Sequence, residues 1–193
     1  VDEVVELVEV FKPVRVDDAL NAALSLLPTS MDLAMRLDAD EVITGGWVDD
    51  LARHYSPAIS RYRTLCVNHG RGWGEMYRSY IHARHGMRWR YPTHELLVSE
   101  APGSGVHIDV TSVVHHHPIE GTKPHYEANL ATLNAARYEY PGDERMAFYY
   151  ARELFYSGDY AATRTEMMAY LATATWEPDR CEAWRIIASI DTN

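Results

Sequence analysis

The hydrophobic period of this chain changes near residue 120, and that change restricts the fold more than any motif does. Before it, short segments alternate apolar and polar residues with the period of two that a half-buried strand needs. Residues 59–67, ISRYRTLCV, and residues 106–114, VHIDVTSVV, are the clearest, the second with Val106, Ile108 and Val110 on one face. After Pro124 the strand signals vanish and helical spacing runs through HYEANLATLNAARYEY, DERMAFYYARELFYSG, DYAATRTEMMAYLAT and PDRCEAWRIIASI. Pro141-Gly142, Gly158 and Pro178 separate these segments. A boundary is therefore expected at residues 119–124, between an α/β (α+β) region over 1–120 and an all-α region over 121–193.

Within the first region, residues 1–12 read as a strand, although their spacing also tolerates a helix. VDDALNAALSLLP reads as a helix with Asp17 as a cap and Pro28 as its stop. LAMRL reads as a short strand, Gly45-Gly46 as a turn, and Trp47 to Tyr55 as a short helix. NHGRGWGEM and APGSG read as loops, and residues 77–98 as strand interrupted by a turn at Gly86.

Composition removes several functional classes. The formal charge of −10 argues against a nucleic-acid surface and against an anionic-membrane surface, although Arg71, Arg78, Arg84, Arg88 and Arg90 crowd one stretch. The absence of an 18-residue apolar run or a signal-peptide pattern predicts no membrane span. Cys66 and Cys181 are too few and too distant for a disulfide framework, so both are expected as buried thiols in a reducing, cytoplasmic setting.

The four helical segments carry a repeat. Tyr126 and Tyr160 lie 34 positions apart, as do Leu133 and Met167. That is the period of the tetratricopeptide helix–turn–helix unit, and a generic four-helix bundle is the alternative.

Three stretches could carry chemistry. In RLDADEV, Asp38, Asp40 and Glu41 repel one another unless a positive group sits among them or water screens them. Asp38 and Asp40 would point to one side of a strand end, offering two oxygens to a hard cation such as Mg²⁺ or Mn²⁺. Solvated acids or helix caps explain the same residues. His115-His116-His117 follows an apolar strand and supplies either imidazole ligands, one or two per side, or an exposed polar turn. In RWRYPTHELL, Glu95 is placed to serve as a general base or to pair with a nearby arginine. HExxH would require histidine where Val98 stands, so this is not a zincin motif. Trp73, Tyr77, Trp89 and Tyr91 nearby serve either a core or a stacking platform for a sugar ring.

In this order, LDADE, GWGEMYRSYIHARHGMRWRYPTHELL, VVHHHP and ANLATLNAARYEYPGDERMAFYYARELFYSGDY resemble the family-2-like glycosyltransferases that carry a C-terminal tetratricopeptide segment. The resemblance covers about residues 17–185. It implies the C-terminal part of a GT-A mixed sheet, a nucleotide-sugar donor, Mn²⁺ or Mg²⁺, and inverting transfer to a protein or glycan acceptor. It implies Asp38 near the donor ribose and metal, Asp40 as a direct ligand, His116 (or His115) as the third, and Glu95 as catalytic base. His94, Trp89, Trp73 and Arg78 are the expected substrate contacts.

Two departures accompany it. The NE and DxGSxD stretches that bind the nucleotide base in that family do not occur, and the first residue is Val1. The donor-binding half is therefore expected to be truncated, lost, or supplied by a separate chain, leaving the isolated chain inactive. Ala128 stands where the family has an arginine before Asn-Leu. A non-catalytic interaction module and a small metallohydrolase built on Asp40, His116 and Glu95 are the competing expectations.

Overall fold

The structure is a computed structural model that describes residues 15–38, 41–43, 45–68, 75–100, 106–117 and 126–192. The side chains of 68, 75, 111–113, 115–117 and 126–128 lie outside that description, as do the expected strand at 1–12, Asp40, Trp73 and the loop at 101–105. The described residues form an α+β arrangement of six helices, a mixed five-stranded sheet and a two-stranded ribbon. Packing divides the chain into two compact units: Val1–Arg90 with Glu95–Thr122, and Tyr91–His94 with Lys123–Asn193. Among the described residues no helix is long and apolar enough to cross a membrane.

In the sheet unit, α1 spans Val16–Leu26 and ends where Leu27, preceding Pro28, turns to extended geometry. Asp17 is not its cap. It lies inside the first turn, buried, with both oxygens bonded to the Arg15 guanidinium at 3.2 and 2.9 Å. β1 (Leu33–Met35), β2 (Val42–Ile43), α2 (Trp47–His54), β3 (Arg61–Asn68), β4 (Glu75–Ala83), β5 (Met87–Arg90), β6 (Leu96–Ser99) and β7 (His107–His117) follow. The main sheet runs β1-β4-β3-β7-β2, with β3 and β7 parallel and the other pairs antiparallel. Tyr62, Thr64 and Cys66 alternate inward on β3, and Tyr62 and Cys66 join Tyr80, Ile81, Val110 and Leu51 in the core.

β5 and β6 form the separate ribbon, with Trp89 opposite Leu97. Met87, Trp89 and Leu97 pack with Leu20 and Ala83.

The helical unit contains α3 (Tyr126–Glu139), α4 (Glu144–Ser157), α5 (Tyr160–Thr173) and α6 (Glu177–Asp191), each packed on the next. α3 and α5 begin 34 residues apart, at Tyr126 and Tyr160. Local signals account for the ends. Asp143 and Asp159 cap α4 and α5 by accepting from the N–H of Met146 and Ala162, and Gly158 closes α4 at φ 86°. Phe148, Ala151, Met167, Tyr170, Ala183 and Ile186 form its main core. Tyr91, from the four-residue segment 91–94, packs with Leu133, Ala136 and Met146. Cys181 on α6 is exposed, against expectation, because the apolar face of that helix is supplied by Ala183, Ile186 and Ile187; only Cys66 is buried.

Candidate functional site

β1 leaves the sheet at Arg36, whose N–H still bonds the Tyr80 carbonyl at 2.9 Å. That bond sets the direction of the side chain. The guanidinium lies 5.3 Å from the centre of the Trp89 ring, donates Nε to Asp38 Oδ1 at 3.2 Å, and donates Nη1 to Glu95 Oε1. Burial opposes its charge, but Glu95 and then Asp38 outweigh burial and raise its pKa. A positive group therefore does sit at the carboxylate run, and it is the arginine that begins RLDADEV.

Glu41 has different surroundings. It is buried, accepts from the Tyr80 hydroxyl through Oε1, and accepts from the Asp38 N–H through Oε2 at 3.1 Å. Burial, and next the bond to Glu41, push the Tyr80 phenol far above its ordinary range. Arg78, expected as a substrate contact, donates to the Tyr80 hydroxyl at 3.0 Å.

The histidine run is strand, not turn. β2 pairs with β7 so that Val42 stands opposite His116 and Ile43 opposite His115. The acidic run leads into β2, so the backbones of two motifs 75 positions apart meet at one end of the sheet.

Trp89 is buried beneath Arg36, with its N–H and C=O both bonded to the Asn21 side chain at 2.9 and 2.8 Å. His94 and Glu95, adjacent in sequence, belong to different units. His94 has φ 51°, stacks on Tyr149 at 4.0 Å with 9° between planes, and places Nε2 3.6 Å from Glu153. Arg145 donates twice to its carbonyl, at 3.2 and 3.0 Å.

Of the ligands that the resemblance implies for a cation, only Asp38 has a described side chain. The Asp38 side chain is 41% exposed and accepts from Arg36 through Oδ1, and the histidine backbone runs beside β2. Among the described residues no three His, Cys, Asp or Glu side chains come together as a cage. Asp40 and the side chains of His115–His117 lie outside them.

Arg36, Tyr80 and Asn21 were not singled out by their sequence positions. Arg36 had a signal, since three carboxylates in four residues ask which cation accompanies them. Tyr80 and Asn21 had none, because their partners lie 39 and 68 residues away.

Comparison with known proteins gave no match: neither a family model nor a curated protein matches this sequence.

Proposed function

We propose that the chain carries the acceptor-side part of a GT-A-type glycosyltransferase, followed by tetratricopeptide-like helices. The observation that carries this reading is the convergence of three separated motifs. Arg36 bonds Asp38 and Glu95 at once, and β2, directly after the acidic run, pairs with β7 at His115 and His116. Solvated acids at a strand end would not need this arrangement.

In the proposed reaction an acceptor hydroxyl attacks the anomeric carbon of a nucleotide sugar. The new carbon–oxygen bond forms as the bond to the diphosphate breaks, and the hydroxyl proton passes to Glu95. Oε1 of Glu95 accepts from Arg36, and Oε2 is the oxygen that would take that proton. Asp38, Asp40 and His116 would hold Mn²⁺ or Mg²⁺. When bound, the cation supplies neutralisation of charge on the departing diphosphate. Trp89, buried under Arg36, would support the guanidinium and not stack directly on a sugar.

Calorimetry with Mn²⁺ and uridine or guanosine diphosphate tests the reading on the chain and on Asp40→Ala. Metal-dependent nucleotide binding that disappears in the variant is expected. Binding of Mn²⁺ with no binding of either nucleotide, even when the donor-binding half is supplied, would overturn it. Hydrolysis of simple phosphoesters would favour the metallohydrolase.

One observation favours an interaction module as the second reading. A cleft of about 610 Å³ opens in the helical unit, lined by Arg137, Tyr138, Tyr140, Tyr150, Glu166 and Tyr170 among others. Its volume falls in the range of ordinary ligand sites. Retention of a glycan or peptide ligand by a chain carrying Asp40→Ala and Glu95→Gln would support it.

A further inference from the structure

The cleft of the helical unit opens among α3, the turn 140–143, α4 and α5, and its lining restricts what can enter. Four charged side chains face it: Arg137, Asp143, Glu144 and Glu166. Each is bonded within the unit. Both Glu166 oxygens accept from Arg137, at 3.2 and 3.0 Å, and that guanidinium lies 4.3 Å from the centre of the Tyr150 ring. Asp143 accepts from the Met146 N–H and the Tyr91 hydroxyl, one on each oxygen. Glu144 accepts from the Thr175 N–H and hydroxyl, again one on each oxygen, at 2.8 and 2.9 Å. Asp143 caps α4 and Glu144 stands in its first turn, so the positive end of the helix dipole offsets both charges.

An anionic ligand would meet three carboxylates against one guanidinium. A cationic ligand would have to compete for carboxylates that already have a donor on each oxygen. The remaining groups are neutral and polar. Tyr138, Tyr140, Tyr150 and Tyr170 supply rings and phenols, and Asn134 supplies an amide. Asn134 and Tyr138 stand four positions apart on α3, hence on one face, and both are exposed, Tyr138 at 82%. The aliphatic side chains among the described lining residues are Pro141, Ala147 and Ala169. A peptide lying in a groove needs deeper apolar pockets for its anchoring side chains than these provide.

We infer that this cleft binds a neutral oligosaccharide. A sugar ring presents an apolar face of C–H groups, which a tyrosine ring covers, and an edge of hydroxyls, which planar amide, guanidinium and carboxylate groups can bond. Tyr138 and Tyr150 would take ring faces, and Asn134 and the Arg137–Glu166 pair would take hydroxyls. The inference rests on the interaction reading above, for which it names the ligand class, and it needs neither cation nor nucleotide.

Saturation-transfer NMR and calorimetry on the full chain test this. Chitopentaose and maltopentaose are the neutral probes, pentagalacturonate the anionic one, fully deacetylated chitopentaose the cationic one, and a mixed-sequence peptide library the alternative ligand. A neutral probe is expected to bind more tightly than either charged one. Tyr138→Ala and Asn134→Ala, both at exposed positions where folding is preserved, are each expected to weaken that binding at least about fivefold. Two controls remove exposed rings elsewhere: Trp184→Ala on α6, 51% exposed, and Tyr77→Ala on β4 of the sheet unit, 41% exposed. Each is expected to change binding less than about twofold.

Tighter binding of either charged probe would overturn the inference. So would neutral-sugar binding that survives both Tyr138→Ala and Asn134→Ala, or that is lost in Tyr77→Ala, since the sugar would then sit outside the cleft. Peptides bound in place of sugars, and released by Tyr138→Ala, would overturn the inference and leave the interaction reading standing. No binding of sugar or peptide would overturn both.

Discussion

Asn21 acts as a substitute strand partner for β5, and removing it should cost more than an ordinary helix substitution. Its Nδ2 donates to the Trp89 carbonyl at 2.8 Å, and its Oδ1 accepts from the Trp89 N–H at 2.9 Å. In an antiparallel pair both main-chain groups of one residue face the same side, so those of Trp89 face away from β6. Asn21→Ala leaves both groups without these bonds in a partly buried setting. At about 1–2 kcal/mol for each group, the loss is about 2–4 kcal/mol. Alanine recovers about 0.6 kcal/mol of helix propensity, so the net cost is about 2–3 kcal/mol. For a chain of this size that corresponds to a fall in Tm of about 4–10 °C, measured by circular dichroism and tryptophan fluorescence.

Asn21→Asp sharpens the test. The carboxylate retains an acceptor for the Trp89 N–H but sets a second acceptor against the Trp89 carbonyl. At neutral pH it is expected to be less stable than Asn21→Ala. Acidification protonates the new group, restores a donor, and narrows its gap to the unaltered chain at the same pH. A fall of less than about 1 °C in Asn21→Ala would refute the reasoning, as would Asn21→Asp exceeding it in stability at neutral pH.

Four further outcomes follow from the helical unit. Gly158→Ala should cost about 1 kcal/mol in urea unfolding, wholly from φ 86°, because an added Cβ would meet nothing within 4 Å. Asp143→Ala loses the cap bond to Met146 at 3.1 Å and the Tyr91 hydroxyl at 2.7 Å, so a cost of about 2 kcal/mol is expected. Tyr91→Phe, which removes the second bond and leaves the cap, should cost about 1 kcal/mol by the same assay. The Glu144 carboxyl is held below its ordinary value of 4.5, first by the Thr175 N–H and next by the Thr175 hydroxyl. Its contribution is present above the ordinary value and lost as pH falls through the depressed one, so Glu144→Gln should flatten the acid limb of Tm against pH.

The helical unit was legible because its signals are local. An aspartate three residues before the N–H that it accepts, or a glycine at a left-handed position, acts within one turn of chain. That is why the ends of α4 and α5 fall where Asp143, Gly158 and Asp159 place them. Asp17 misled for the same reason in reverse. An acid at the start of a helical stripe fits a cap, but Arg15 two positions earlier binds both its oxygens, and the helix starts ahead of it. Cys181 misled because thiols are usually buried, whereas on α6 the inward positions are already taken by Ala183, Ile186 and Ile187. That Tyr91–His94 belongs with the helices could not be read from the sequence either. The segment follows a strand, and only its contacts with Leu133, Met146, Tyr149 and Arg145 place it there.

The candidate site shows the same limit more sharply, since its acids are nearly identical in sequence and unlike in environment. Asp38 and Glu41 stand three positions apart, yet one is partly exposed beside a guanidinium and the other is buried against a phenol. Spacing cannot separate them, because the separating groups arrive from Tyr80 on β4 and through the packing of Arg36 between Trp89 and Glu95. Charge repulsion within the run thus has two remedies here. One is a cation shared with a carboxylate 57 positions away, and the other is a proton donor from the core. A sequence motif states that like charges must be reconciled; which of them remains available for chemistry is decided by the partners that the fold delivers.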